Sequence, residues 1–146
     1  MTSHFSLEEF IASDTAARLN IDNRIPDELR ENALQTLQMM ERIRFHIDAP
    51  ITITSGYRCK ALNQAIGSKP TSDHTLAFAV DFKAPKAGTP YAIAKDLAGV
   101  IDIVGIGQLI LEFGAWVHVS LARPEKTINR IITIDKTGTR AGIWIP

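Results

Sequence analysis

The chain has 146 residues, 45% of them hydrophobic, with 16 basic and 16 acidic side chains and a formal net charge of zero. That length and apolar content suit one domain with its own core, and the balanced charge offers no basic groove or tail for nucleic acid, which argues against a nuclease. The single cysteine, Cys59, cannot form an internal disulfide, so the fold does not depend on an oxidising compartment, and a small, partly buried thiol is expected there rather than a nucleophile.

In chain order, the first ten residues, Met1 to Phe10, lack the basic start and apolar run of a secretory signal, so cytoplasmic synthesis without a signal peptide is expected. No stretch is long and apolar enough to insert in a membrane. Ser6-Leu-Glu-Glu9 fits a capping box opening a short helix, with Leu7, Phe10 and Ile11 as its apolar contacts. Pro26-Asp-Glu28 opens a long helix in which Leu29, Ala33, Leu37, Met40, Ile43 and Ile47 recur at helical spacing, ending before Pro50, with Met39 and Met40 as core fillers. A short β-branched strand follows over Ile51-Thr-Ile-Thr54, then a helix over Ala61 to Ala65 and a strand over Ala77 to Phe82. Thr89-Pro90 starts a helix that runs to Gly99 with Ile93 and Leu97 inward. Strands are predicted over Gln108 to Phe113 and Trp116 to Leu121. After Pro124, Ile128, Ile131, Ile132 and Ile134 followed by Lys136-Thr-Gly138 predict a strand and a turn leading to Trp144. The chain shows no internal repeats, low-complexity segments or linkers. The organisation is one α+β domain over 1–146: a helical part at 1–48, a core at 50–121, and a strand and tail at 122–146. Its small antiparallel central sheet has helices packed on one side.

Alternation on the central strands carries the chemistry, because successive side chains point to opposite faces. Ala77, Ala79 and Asp81 face one way, and Phe78, Val80 and Phe82 the other. Gln108, Ile110 and Glu112 likewise oppose Leu109, Leu111 and Phe113, while Trp116, His118 and Ser120 oppose Val117, Val119 and Leu121. If the three strands share a sheet, Asp81, Glu112 and His118 converge on the face away from the core, and His74 completes the cluster from a loop. His74, Asp81 and His118 are then a three-ligand set suited to catalytic Zn2+, one ion per chain, with a fourth position open. Glu112 is left over and takes the general-base role, accepting a proton from the attacking water. His4 and His46 fall outside the constellation and are not assigned to the metal.

Ser72-Asp-His74, Asp81 seven positions later, and Trp116-Val-His118 resemble the metal motif of the M15 peptidases, the D-alanyl-D-alanine carboxypeptidase and L-alanyl-D-glutamate endopeptidase group. Vancomycin-resistance dipeptidases and several phage endolysins belong to that group. Ile51-Thr-Ile-Thr-Ser-Gly-Tyr-Arg58 is similar to the segment that brings the family's substrate-binding arginine to the site, and the resemblance runs from about Pro50 to Ser120. The hedgehog signalling domain shares this fold and ligand set, and its glutamate also lies six residues before the last His, as Glu112 does. Two features depart from the pattern. Leu76-Ala-Phe-Ala stands where many members carry a glycine, and Ala115 occupies the position at which the dipeptidases and some endolysins place their acidic base.

Arg58 is expected to hold a substrate carboxylate or steady the oxyanion, since its guanidinium fork ends a strand and can be aimed inward by the Ser55-Gly-Tyr turn. Ser72, implied by the resemblance as a contact near the first ligand, reads equally well as a turn serine. Tyr57 and Trp116 are candidates to line the substrate pocket, with ordinary packing as the competing explanation. The resemblance implies a hedgehog/DD-peptidase-like fold and a peptidoglycan stem peptide as substrate, cleaved by carboxypeptidase or endopeptidase action. With no signal peptide, a wall substrate would have to be reached by other means, so a phage or prophage lysis protein, released by a holin or carried in a virion, is expected, acting as a monomer. A non-catalytic, metal-stabilised wall-binding or virion module is the alternative, and Ala115 is the feature that supports it.

Overall fold

The computed structural model describes residues 2–126 and 130–146. The capping box forms as written in the sequence: Ser6 Oγ accepts from the Glu9 amide, the Glu9 carboxylate accepts from the Ser6 amide, and α1 runs Leu7–Ile11. Ser13 caps a further short helix, α2 (Asp14–Arg18), absent from the sequence prediction because five residues show no helical period. The long helix opens with a 3₁₀ turn at Asp27–Leu29 and continues as α3 (Arg30–Ile47). It buries Ala33, Leu37, Met39, Met40 and Ile43 in one stripe, and ends where Asp48 turns left-handed.

Strand β1 (Thr52–Ser55) leads to α4 (Lys60–Ile66), a 3₁₀ turn (Asp73–Leu76) and β2 (Ala79–Lys83). Helices α5 (Pro90–Ala98) and α6 (Ile101–Val104) precede the hairpin of β3 (Ile106–Glu112) and β4 (Trp116–Leu121). A second hairpin, β5 (Arg130–Asp135) and β6 (Gly138–Ala141), closes the chain around the Lys136-Thr137 turn, while the expected strand residue Ile128 lies outside the described residues. The six strands form one sheet in the order β1-β2-β4-β3-β5-β6. Every pairing is antiparallel except β3 with β5: β5 pairs with the edge of β3 opposite β4, so β3 lies between β4 and β5, and it runs in the same direction as β3.

Alternation sorts the two faces as expected. Val80, Phe82, Leu109, Leu111, Val117 and Val119 are buried together with the stripe of α3 and with Ile93, Ala94 and Leu97 of α5. Helices therefore cover one face of an α+β sheet, and the opposite face is left for the polar residues. Two residues depart from the strand reading: Phe113, expected on the apolar face of β3, follows the strand's end at Glu112 with φ +55 and is exposed, and Ala77 ends the 3₁₀ turn with φ +62, so β2 starts two residues later than the alternation suggests. Ala77 sits in the left-handed region that glycine adopts freely. Among the described residues no helix is long and apolar enough to cross a membrane.

Candidate metal centre

Three elements deliver the central cluster. Asp81 and His118 are direct register partners on β2 and β4, and His74 reaches them from the 3₁₀ turn ahead of β2. All three side chains are buried, and each offers one ligand atom within 4.8 Å of the others. Asp81 Oδ1 lies 2.8 Å from His118 Nδ1 and 3.3 Å from His74 Nε2.

Hydrogen bonds on the far sides fix which atoms face inward. His74 Nδ1 lies 2.6 Å from the Gly56 carbonyl, so that nitrogen carries the proton and Nε2 keeps its lone pair. His118 Nε2 lies 3.0 Å from Ser120 Oγ, two residues along the same strand face, which leaves Nδ1 for the cluster. Arg58 Nη2 approaches Asp81 Oδ2 at 3.3 Å, occupying that oxygen and leaving Oδ1 to the two imidazoles.

The donor set passes a direct test of fit for zinc. His74 Nε2 is fully buried and has no hydrogen-bond partner among the described residues; its 3.3 Å approach to Asp81 lacks the alignment of a hydrogen bond. Such an orphan is rare in a folded interior unless a further group satisfies it. Zinc–nitrogen and zinc–oxygen bonds of about 2.1 Å set tetrahedral edges of about 3.4 Å, which the 3.3 Å approach of His74 Nε2 to Asp81 Oδ1 matches, while the His118–Asp81 pair at 2.8 Å would open slightly.

The electrostatics follow from burial and the neighbours. Burial pushes the Asp81 carboxyl up, but His74 and the hydrogen bond from His118 outweigh it and hold Asp81 well below the usual carboxylate range. Burial lowers His74 and favours the neutral imidazole, with Asp81 opposing. A neutral imidazole at His74 beside an ionised carboxylate at Asp81 suits metal binding.

Glu112 ends β3 opposite Trp116, on the same face, with Oε1 3.7 Å from His118 Nδ1. Burial raises its pKa, Asp81 raises it further, and His118 and Arg58 pull against them. A carboxylate displaced upward beside a metal cluster is suited to take up a proton. Ala115 lies in the β3–β4 turn, where its amide donates to the Glu112 carbonyl.

Arg58 is aimed by local backbone geometry. The register between β1 and β2 slips between Ile53 and Ser55, a bulge that turns Ser55 toward the ligand face beside Asp81. Arg58 Nε then donates to Ser55 Oγ at 3.1 Å and Nη1 to Asn63 Oδ1 at 3.4 Å. Burial lowers the guanidinium pKa, with Asp81 and Glu112 opposing.

The remaining candidates fall in different places. Ser72 caps the 3₁₀ turn, its hydroxyl accepting from the His74 amide at 3.3 Å. Trp116 is half-buried on the ligand face and packs against Phe113 with ring centroids 5.8 Å apart. Tyr57 belongs to the hydrophobic core and borders a cleft of about 800 Å³ against Leu7, Ile25 and Pro26. Its amide donates to the Phe10 carbonyl at 2.9 Å. His4 pairs with Glu41 and His46 with Asp96. Asn63 and Ser120 support the cluster without a role expected from the sequence, and Ser55 and Gly56, expected only to turn the chain at Arg58, also contact the cluster through the Ser55 hydroxyl and the Gly56 carbonyl. Ser120 had a usable signal, a hydroxyl two residues from His118 on one strand face.

Two buried imidazoles and a carboxylate with an acid at the rim fit a catalytic metal site, which keeps one position open, better than a closed structural one. The chain belongs to the Peptidase M15 family, whose model matches residues 3–120, more than half its length. M15 peptidases are zinc-dependent metallopeptidases, so the family assignment carries a zinc-peptidase type of activity. No curated protein matches the chain significantly.

Proposed function

We propose that this chain hydrolyses peptide bonds of the peptidoglycan stem peptide, with Zn2+ held by His74, Asp81 and His118. The observation that carries the metal assignment is the orphaned His74 Nε2, facing Asp81 Oδ1 and buried with it. Zinc, when bound, polarises a scissile carbonyl and brings the pKa of a water toward neutrality. Glu112 accepts the proton from the attacking water, helped by the burial that raises its pKa. Arg58 steadies Asp81 through Oδ2 and presents a guanidinium to the charge that develops on the substrate. Ser72 holds the turn that carries His74, and Trp116 walls the substrate side. Tyr57 acts through packing in the core.

The wall substrate is supported by the family and by the motif resemblance; metal and carboxylate alone would serve many hydrolyses. Carboxypeptidase and endopeptidase action fit this donor set equally. A phage or prophage lysis protein, acting as a monomer after holin release or from a virion, is the biological setting we infer. Digestion of purified peptidoglycan by the zinc-loaded protein, followed by mass spectrometry of the released peptides, tests the substrate. New peptide termini identify the bond. Intact stems from several wall types, with zinc bound, would overturn the peptidase and favour a metal-stabilised wall-binding module.

A further inference from the structure

The ligand face carries a second row of side chains. Ala79, Ser120, Gln108 and Arg130 are register partners across β2, β4, β3 and β5, two residues along from the row containing Asp81 and His118. Two residues of strand span about 7 Å. A recess of about 140 Å³ opens on this row, bounded by Gln108, Ser120, Asp73 and three cations, Arg123, Lys126 and Arg130.

One carboxylate faces three cations there. Asp73 is buried and pairs with Lys126 at 2.6 Å and Arg123 at 3.2 Å, while Glu125 meets Arg123 from the exposed side at 3.1 Å. Arg123 lies over the Phe78 ring at 4.1 Å, and its Nη1 is buried with no hydrogen-bond partner among the described residues. Lys126 is half-exposed, Arg130 is exposed, and no ion pair to Arg130 occurs among the described residues. The recess therefore keeps positive charge that its own acid does not neutralise. It is also coupled to the centre, since Ser120 both walls it and holds His118 Nε2.

We propose that this recess is an anion subsite that binds a carboxylate of the substrate, with Lys126 and Arg130 as its contacts and Arg123 as their fixed support. The proposal rests on the peptidase reading for the identity of the ligand. An extended peptide rises about 3.3 Å per residue, so the carboxylate held here lies about two residues from the bond at the metal centre. A stem peptide offers two such groups, the free carboxylate of its γ-linked glutamate and its C-terminus. A cationic fork or ammonium prefers either to the uncharged amide.

The test uses a synthetic stem pentapeptide in three forms: both carboxylates free, the glutamate carboxylate amidated, and the C-terminus amidated. Zinc-loaded wild type, Arg130→Ala and Lys126→Gln are each titrated by calorimetry, with hydrolysis followed by mass spectrometry. Preference is read as kcat/KM where the peptide is cleaved and as Kd where it is not. The expected result is that amidating one of the two groups weakens wild-type recognition by about 10-fold, the scale of one hydrogen bond to a charged group, and that both variants lose this preference. Equal recognition of all three forms by wild type, or an undiminished preference in both folded variants, overturns the subsite. Preference without cleavage keeps the subsite and sinks the peptidase; cleavage without preference does the reverse.

Discussion

Gly56→Ala is a small change with a large expected effect on metal binding. A Cβ at residue 56 would stand 2.2 Å from the Phe10 carbonyl oxygen and 2.7 Å from Phe10 Cδ1. Real Cβ atoms essentially never approach closer than 3.0 Å, so the loop or α1 must give by at least 0.8 Å. Neither side yields readily: Phe10 is completely buried, and the same carbonyl already accepts from the Tyr57 amide. A shift of that size in the loop stretches the 2.6 Å contact between His74 Nδ1 and the Gly56 carbonyl to the edge of hydrogen-bonding range. The imidazole then loses the anchor that turns Nε2 toward Asp81. Overpacking of this kind costs about 1–3 kcal/mol of stability. Loss of an outer partner to a ligating histidine lowers metal affinity by about 10–100-fold. Zinc affinity measured by competition with a chelator reads the second effect, and thermal unfolding of metal-free protein reads the first. A folded Gly56→Ala protein that binds zinc as tightly as wild type would refute the assignment of the Gly56 carbonyl as the group that orients His74.

Arg58→Lys replaces a fork spanning Ser55, Asn63 and Asp81 with a point charge that cannot reach all three, and kcat/KM is expected to fall by about 10–100-fold in steady-state assays. Asp73→Asn leaves Arg123 buried against an uncharged partner and should cost about 3 kcal/mol, read from denaturant unfolding. Burial works to raise the Asp73 pKa, but Lys126 and Arg123 overcome it and depress the pKa in the fold. The ionised carboxylate therefore stabilises the protein fully above its unfolded pKa of about 3.9, and that contribution disappears as pH falls through the lower folded value. Acid unfolding curves should accordingly be shallower in this variant than in wild type. Ala77→Gly relieves about 1 kcal/mol of left-handed strain and gives up a buried methyl worth about 0.8 kcal/mol, so a melting temperature close to wild type is expected by calorimetry.

Much of the ligand cluster was legible because strand alternation is a rigid rule. Asp81, His118 and Glu112 share a face for the same reason that Val80, Val119 and Leu111 share the other. The long helix was equally readable from its stripe, and its start was displaced only by a 3₁₀ turn. Pairing order was not legible, since nothing local specifies that β5 joins the far edge of β3, and the parallel contact there is a tertiary choice. The short helices α2 and α6 are held by caps and packing rather than by a period. Ala77 was misplaced in a strand because its left-handed φ contradicts what its side chain prefers. The Gly56 carbonyl could not have been found at all, because a backbone acceptor has no residue type to announce it.

If His74, Asp81 and His118 hold zinc while Glu112 moves the proton, the two roles separate in stem-peptide hydrolysis by wild type and Glu112→Gln at equal zinc occupancy, with metal content measured on the same samples. One zinc per chain is expected in both proteins, with a rate about 10²–10⁴-fold lower in the variant, the usual contribution of a general base. Equal rates at equal occupancy would contradict the general-base role of Glu112.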